Sequence, residues 1–269
     1  MARMLYSPHP LFSIFSTLSS SKLRPIINDK FKIESKTLDE TREIYVYHPP
    51  DMEESGITYP VIYLLDGHSL HNVCASFVQH YSNRDRIPRT IVVGIASTDR
   101  LRDFTPYERT AYNGEYGGGG ANSFMEFLEN ELFPRIEEKY PTRDYRVLLG
   151  HSYGGLYVTY ALMAKPMLFR AYLACSPWLS EVDNPIIEKI GEQLQAGYEK
   201  RKLFYLAHEP ITSPGIEDRI MKLRQVIEEK ASDSFEWKYK KYGDADHSNL
   251  PLKAIPDALD FFFPGFIQD

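Results

Sequence analysis

Cysteine is nearly absent from this chain: Cys74 and Cys175 are the only two among 269 residues. Two thiols neither build a disulfide scaffold nor supply a thiolate-rich zinc site. Positive charge is not in excess either. The formal net charge is −6 and no basic cluster breaks that balance, which argues against a nucleic-acid partner. No apolar run approaches the roughly 18 residues that a membrane-spanning helix needs. Glycine patterns of the P-loop or dinucleotide-binding kind are missing, because Gly117 to Gly120 follow no predicted strand. There is no internal repeat, low-complexity tract or linker, so we expect one domain over residues 31–269 preceded by an arm of residues 1–30.

What is present suits a well-packed globular protein, with 43% hydrophobic and 13% aromatic residues. Residues 31–35 and 42–48 alternate apolar and polar around a turn and predict an antiparallel hairpin. Apolar runs at 60–65, 90–96, 145–149, 171–175 and 203–208, with 235–242, predict six further strands. Helical patterns separate them at 69–81, 122–140, 156–163, 184–200 and 215–231, and another follows at 252–263. Pro134 is expected to kink the second of these helices. Strands alternating with helices imply an α/β fold: an eight-stranded, mostly parallel sheet with helices on both faces. In such sheets ligands bind beyond the carboxyl ends of the strands.

One stretch organises the rest. Tyr145 to Leu162 reads YRVLLGHSYGGLYVTYAL: a buried strand, a glycine-rich turn, then a helix with no polar face. A serine at the apex of that turn, with Gly150 and Gly154 two residues to either side, is the G-x-S-x-G nucleophile elbow. Side chains at both glycines are expected to collide with their surroundings, and Ser152 to sit at strained dihedrals. The backbone N–H of Tyr153, at the head of the new helix, is the candidate first oxyanion donor.

These residues, together with REIYVYHPP, YPVIYLLDGHS, IVVGIASTDRLRDFTP, FLENELFPRIEEKY, CSPW and DADHSN, resemble the putative-esterase branch of the α/β-hydrolases. That group holds enterochelin-type siderophore esterases, feruloyl esterases and S-formylglutathione hydrolase-like enzymes. The resemblance runs from about Arg42 to the C-terminus. It implies a serine carboxylic ester hydrolase of the α/β-hydrolase fold that works through an acyl-enzyme, without a cofactor.

In α/β-hydrolases the triad follows the order Ser, acid, His. Six of the eight histidines precede Ser152 and His208 ends a strand, whereas His247 follows the last strand in a polar loop and matches the family's D-H-S motif. His247 is therefore the expected general base. Glu209, directly after the strand at 203–208, is the expected acid, although Ala207-His208 stands where the family is usually glycine-rich. Glu217 and Asp218 remain its competitors. The backbone N–H of His68, after Asp66-Gly67, is the second oxyanion candidate, and Ser69 is expected to cap the following helix. His68, His71 and Cys74 could be read as metal ligands by spacing, but no carboxylate or further thiol joins them, so no metal is expected.

The loop at 97–121 and Pro177-Trp178 are expected to build the substrate pocket. Phe104, Tyr107, Tyr112, Tyr116 and Trp178 would supply aromatic walls, and Arg100, Arg102 and Arg109 would supply charge. Arg102-Asp103 also reads as an ion pair fixing the loop. The space between residues 176 and 202 holds one helix and a short loop, so no large lid domain is expected. Soluble short-chain, aryl or siderophore-type esters fit an open cleft of that kind. A thioesterase or acyltransferase would use the same triad, and a non-catalytic binding module would normally have lost Ser152 or His247. The apolar patch LFSIFSTL lacks a cleavage site after it, so an arm packed on a cytoplasmic domain is preferred to an export leader.

Overall fold

The computed structural model of the chain describes residues 26–264 except residues 51, 53, 54, 112 and 212. Most of the expected N-terminal arm lies outside them. The elements in chain order are β1 (Asp29–Ser35), β2 (Glu40–Tyr47), β3 (Tyr59–Leu64), α1 (Gly67–Ser82), β4 (Ile91–Ile95), α2 (Arg100–Phe104), β5 (Glu108–Thr110), β6 (Tyr116–Gly118), α3 (Ala121–Phe127) and α4 (Phe133–Lys139). There follow β7 (Thr142–His151), α5 (Tyr153–Ala164), β8 (Ala171–Cys175), α6 (Asn184–Ala196), β9 (Lys202–His208), α7 (Pro214–Lys230), β10 (Phe235–Lys241) and α8 (Leu250–Phe262).

Eight strands form one sheet in the order β1-β2-β4-β3-β7-β8-β9-β10. The first two are antiparallel to their neighbours and the six from β4 to β10 run parallel, as the alternation of strands and helices implies. Strands β3, β4, β8 and β9 are buried along their whole length, which is why they are continuously apolar in sequence. Two cores flank the sheet. One joins Phe124, Leu132, Leu156, Leu162, Ile190 and Ile220; the other joins Cys74, Val78, Leu250, Ala254 and Leu259. Helices therefore cover both faces. Helix α5 lies almost wholly within the first core, the place for a helix that offers water no polar side.

Three local expectations need correction. The helix expected over 122–140 is not simply kinked. It passes from α3 to α4 through a π-helical turn, Leu128–Leu132, in which the Phe133 N–H reaches back to Leu128 O. Pro134 has no N–H to donate and its ring crowds the preceding carbonyls, so a wider turn before it lets the helix continue. The loop at 97–121 is partly ordered into α2 and a small β5–β6 hairpin. Ser69 is not the cap of α1: Asp66 holds that position with φ 55°, and Ser69 Oγ donates to Asp66 O within the first turn. Between β8 and β9 stand only a 3₁₀ turn, Glu181–Asp183, and α6, so no lid domain is inserted there.

Candidate active site

At the end of β7 the chain reverses into α5 through Ser152, whose φ of 60° and ψ of −117° a side-chain-bearing residue seldom adopts. Neighbouring segments fix the turn. The Ser152 N–H donates to Cys175 O at 3.0 Å, and Ser152 O accepts from the N–H groups of Leu156 at 3.0 Å and Trp178 at 3.1 Å. The glycine requirement differs from the one expected. A Cβ at Gly150 would stand 2.3 Å from Gly154 O, so that position is closed to any side chain. At Gly154 a Cβ would meet nothing nearer than Leu65 at 3.5 Å, an ordinary contact. The second closed position is Gly155, where it would lie 2.6 Å from Cys175 O. The elbow thus needs glycine for the approach of α5 to the end of β8.

His247 stands in the loop between β10 and α8, and Glu209 directly follows β9. The imidazole Nδ1–H donates to Glu209 Oε1 at 2.7 Å. Ser176 Oγ, one residue past β8, also donates to Oε1 at 3.0 Å and lies 3.4 Å from His247 Nδ1. Glu209 is 4% exposed. Burial pushes its carboxyl up, but hydrogen bonds from His247, its own backbone and Ser176, with the charge of His247, outweigh that and hold it below the usual range. Its Oε2 is buried without a partner among the described residues. The His247 ring is nearly half exposed and lies 4.4 Å from that of His151, beside the elbow, and 6.4 Å from Trp178. Among the described residues the ring's hydrogen bonds are all on Nδ1, which leaves Nε2 for another group.

Beneath the elbow, Arg100 grips Asp66 with two hydrogen bonds of 2.8 and 3.0 Å and donates to His151 O at 3.3 Å. Ser97 Oγ also donates to Asp66, at 2.7 Å. Burial pushes His151 down from 6.5 to about 4, helped by the neighbouring His247, so it is neutral at ordinary pH.

The structure brings Ser152, Glu209, His247, Tyr153 and Trp178 to one edge of the sheet. Tyr153 opens α5 and His68 is the second residue of α1, so both backbone N–H groups fall in first turns, where no intrahelical acceptor exists. The competitors of Glu209 lie elsewhere. Glu217 pairs with Lys241 at 2.5 Å, and Asp218 sits in a groove on the surface of α7. His68 is exposed while His71 and Cys74 are buried, and no group able to hold a metal is found among the described residues.

The expected pocket is largely redrawn. Phe104 is no wall: α2 turns it into the core, where it packs on Phe124 and Tyr157 at 1% exposure. Tyr116 is 71% exposed and donates to Glu108, and Tyr107 leans on the core. Tyr112 lies outside the described residues. All three arginines are occupied: Arg100 by Asp66, Arg102 by Glu40 and Asp103, and Arg109 by Asp183 in a two-bond contact at 2.6 and 2.8 Å. The Arg102–Asp103 reading as a loop-fixing pair is the one the contacts match. A cavity of about 400 Å³ opens beside Tyr153, lined by Thr98, Asp99, Arg100, Asn113 and Glu115, polar where aromatic walls were expected. Sequence reasoning passed over Ser176, His151 and Asp66 in their present contacts. Their signal was position: each stands at the carboxyl end of a buried strand.

Comparison with known proteins identifies the family and the fold. The Esterase family model, described as "Putative esterase", matches residues 35–216, a span carrying Ser152 and Glu209 but ending before His247. The ferri-bacillibactin esterase BesA of Bacillus subtilis (strain 168) is 34% identical over 167 residues, covering 54% of this chain and 57% of that protein. The siderophore triacetylfusarinine C esterase of Aspergillus fumigatus is 29% identical over 145 residues, 48% of each chain. The chain thus spans about half the length of these relatives. Among solved structures, an IroE-like serine hydrolase from Shewanella oneidensis superposes with a TM-score of 0.80 at 31% identity, over 90% of this chain and 81% of that one. The sheet order, the family match and this structural likeness agree: the chain belongs to the "Putative esterase" family and has the α/β-hydrolase fold.

Proposed function

We propose that the protein is a serine esterase acting on soluble short-chain, aryl or siderophore-type esters through Ser152, His247 and Glu209. The observation that carries this reading is the 2.7 Å contact between His247 Nδ1 and a buried Glu209, beside a serine held at φ 60°. A carboxylate that accepts the Nδ1 proton fixes the imidazole tautomer, so Nε2 is free to act as base. Ser152 Oγ attacks the ester carbonyl carbon as His247 Nε2 takes its proton. The oxyanion that forms is bound by the N–H groups of Tyr153 and His68. Collapse of the tetrahedral species expels the alcohol, which receives the proton from His247 and leaves an acyl-Ser152. Water, deprotonated by the same imidazole, then attacks the acyl group, and the acid departs as Ser152 regains its proton.

Trp178 borders the site, packed edge-on to Tyr153 at 6.1 Å. The small, polar-lined cavity beside Tyr153 and the absence of a lid insertion favour short or hydroxylated substrates over long acyl chains. The names of the relatives favour siderophore esters among these. The test is a panel of p-nitrophenyl esters of graded chain length, set beside an aryl ester, a thioester and a catecholate trilactone. Activity is expected to fall steeply beyond about eight carbons, and Ser152→Ala to lose on the order of 10⁴ in turnover. A Ser152→Ala protein that keeps a tenth of the activity would end the serine mechanism. Preference for the thioester would move the reading to a thioesterase.

A further inference from the structure

Ser176 is the hydroxyl that the reaction above leaves unused. It is 2% exposed and follows β8, the strand between β7, which leads into Ser152, and β9, which leads into Glu209. Its backbone N–H donates to Ala207 O at 2.6 Å, pinning it to the end of β9. Its φ is 44°, a left-handed conformation that a side-chain-bearing residue adopts only at a cost. A serine buried only for packing commonly bonds a carbonyl in its own turn. This one instead reaches Glu209, 33 positions away.

We propose that Ser176 is a positioning residue for ester hydrolysis: its hydroxyl fixes the Glu209 carboxylate so that Oε1 faces His247 Nδ1. This rests on the triad reading above. The last torsion of a glutamate is broad, so a single hydrogen bond does not fix the plane of the carboxylate. Among the described residues Glu209 Oε2 has no partner, so the two side-chain anchors are on Oε1: His247 at 2.7 Å and Ser176 at 3.0 Å. With the Ser176 oxygen 3.4 Å from Nδ1, the three groups close a triangle. Removing the hydroxyl leaves His247, the group the carboxylate has to orient, as its one remaining side-chain anchor, beside its own backbone N–H.

The experiment is a double-mutant cycle of Ser176→Ala and Glu209→Gln, with kcat and KM measured on the best p-nitrophenyl ester and thermal midpoints recorded for all four proteins. Ser176→Ala is expected to lower kcat about tenfold with KM unchanged, the scale of a hydrogen bond to a charged group. In the Glu209→Gln background the same change is expected to cost less than about twofold, because the carboxylate it served is gone. Ser176→Gly, which accepts the left-handed backbone without strain, is expected to match Ser176→Ala in kcat without losing stability. An equal loss in both backgrounds overturns the proposal, as does wild-type turnover in Ser176→Ala or Ser176→Gly. A silent Glu209→Gln overturns the acid assignment and the Ser176 role together, while the Ser152→Ala result continues to stand by itself.

Discussion

Replacing His151 by leucine isolates one titration from the rest of the protein. The His151 ring is held between the elbow and His247, with a buried Nε2 that finds no partner among the described residues, so an apolar residue of similar size removes no hydrogen bond seen at that atom. Its folded pKa lies near 4 against an ordinary 6.5. Above pH 6.5 both folded and unfolded His151 are neutral. Between 6.5 and 4 the unfolded chain takes up a proton that the folded one refuses, so stability falls as pH falls. Below about 4 both are charged and the loss levels off. The gap is worth about 3 kcal/mol at roughly 1.4 kcal/mol per pH unit. Urea unfolding of both proteins, stepped from about pH 7.5 to about pH 4.5, measures it. The wild-type stability minus that of His151→Leu is expected to drop by most of that amount across the window. A difference that stays flat with pH would refute the claim that His151 is held neutral.

Two further outcomes test the frame of the site. Gly155→Ala is expected to destabilise the protein by about 1–3 kcal/mol or more, since its Cβ would meet Cys175 O at 2.6 Å, whereas Gly154→Ala, with its nearest contact at 3.5 Å, is expected to stay within about 1 kcal/mol of wild type in the same unfolding assay. Asp183→Asn leaves the guanidinium of Arg109, 6% exposed, without its counter-charge, and is expected to cost about 3–5 kcal/mol in urea unfolding. Parity of the two glycine variants, or a loss below about 1 kcal/mol for Asp183→Asn, would contradict the packing described.

Much of this architecture is local and therefore legible in the sequence. A strand buried on both faces writes itself as an unbroken apolar run, so β3, β4, β8 and β9 stand out. The elbow is compact enough to be read from six residues. Glu209 and His247, the proposed acid and base, could be named because each follows the end of a strand recognisable by itself. The rest depends on which strands are neighbours. Ser176 meets Glu209 only because β8 lies beside β9 with Cys175 opposite Ala207, a register that no local pattern encodes. Arg100, Arg102 and Arg109 stood in a stretch with no clear period, and apart from the adjacent Asp103 of Arg102 their partners Asp66, Glu40 and Asp183 are remote in sequence. Phe104 misled for a related reason: a five-residue helix capped by Asp99 is too short to show which way its aromatic points.

Backbone strain gathers where the chemistry is proposed to occur. Five described residues other than glycine have positive φ, and three of them, Asp66, Ser152 and Ser176, lie beyond the ends of β3, β7 and β8. Those strands are consecutive neighbours in the sheet. Each such conformation costs on the order of 1–3 kcal/mol, so it persists only where surrounding contacts over-determine it. Here they do. Arg100 and Ser97 hold the Asp66 carboxylate, the backbones of Cys175, Leu156 and Trp178 hold Ser152, and Ala207 O with Glu209 holds Ser176. Each strand end is thereby turned out of the pleat that a continuing sheet would impose, and its side chain is committed to a polar contact or to the proposed attack on substrate. A parallel sheet ends its strands along one edge as a matter of topology. In this protein the strained residues convert three adjacent ends of that edge into fixed positions, and the rigidity that the proposed Ser-His-acid relay would require comes from the sheet itself.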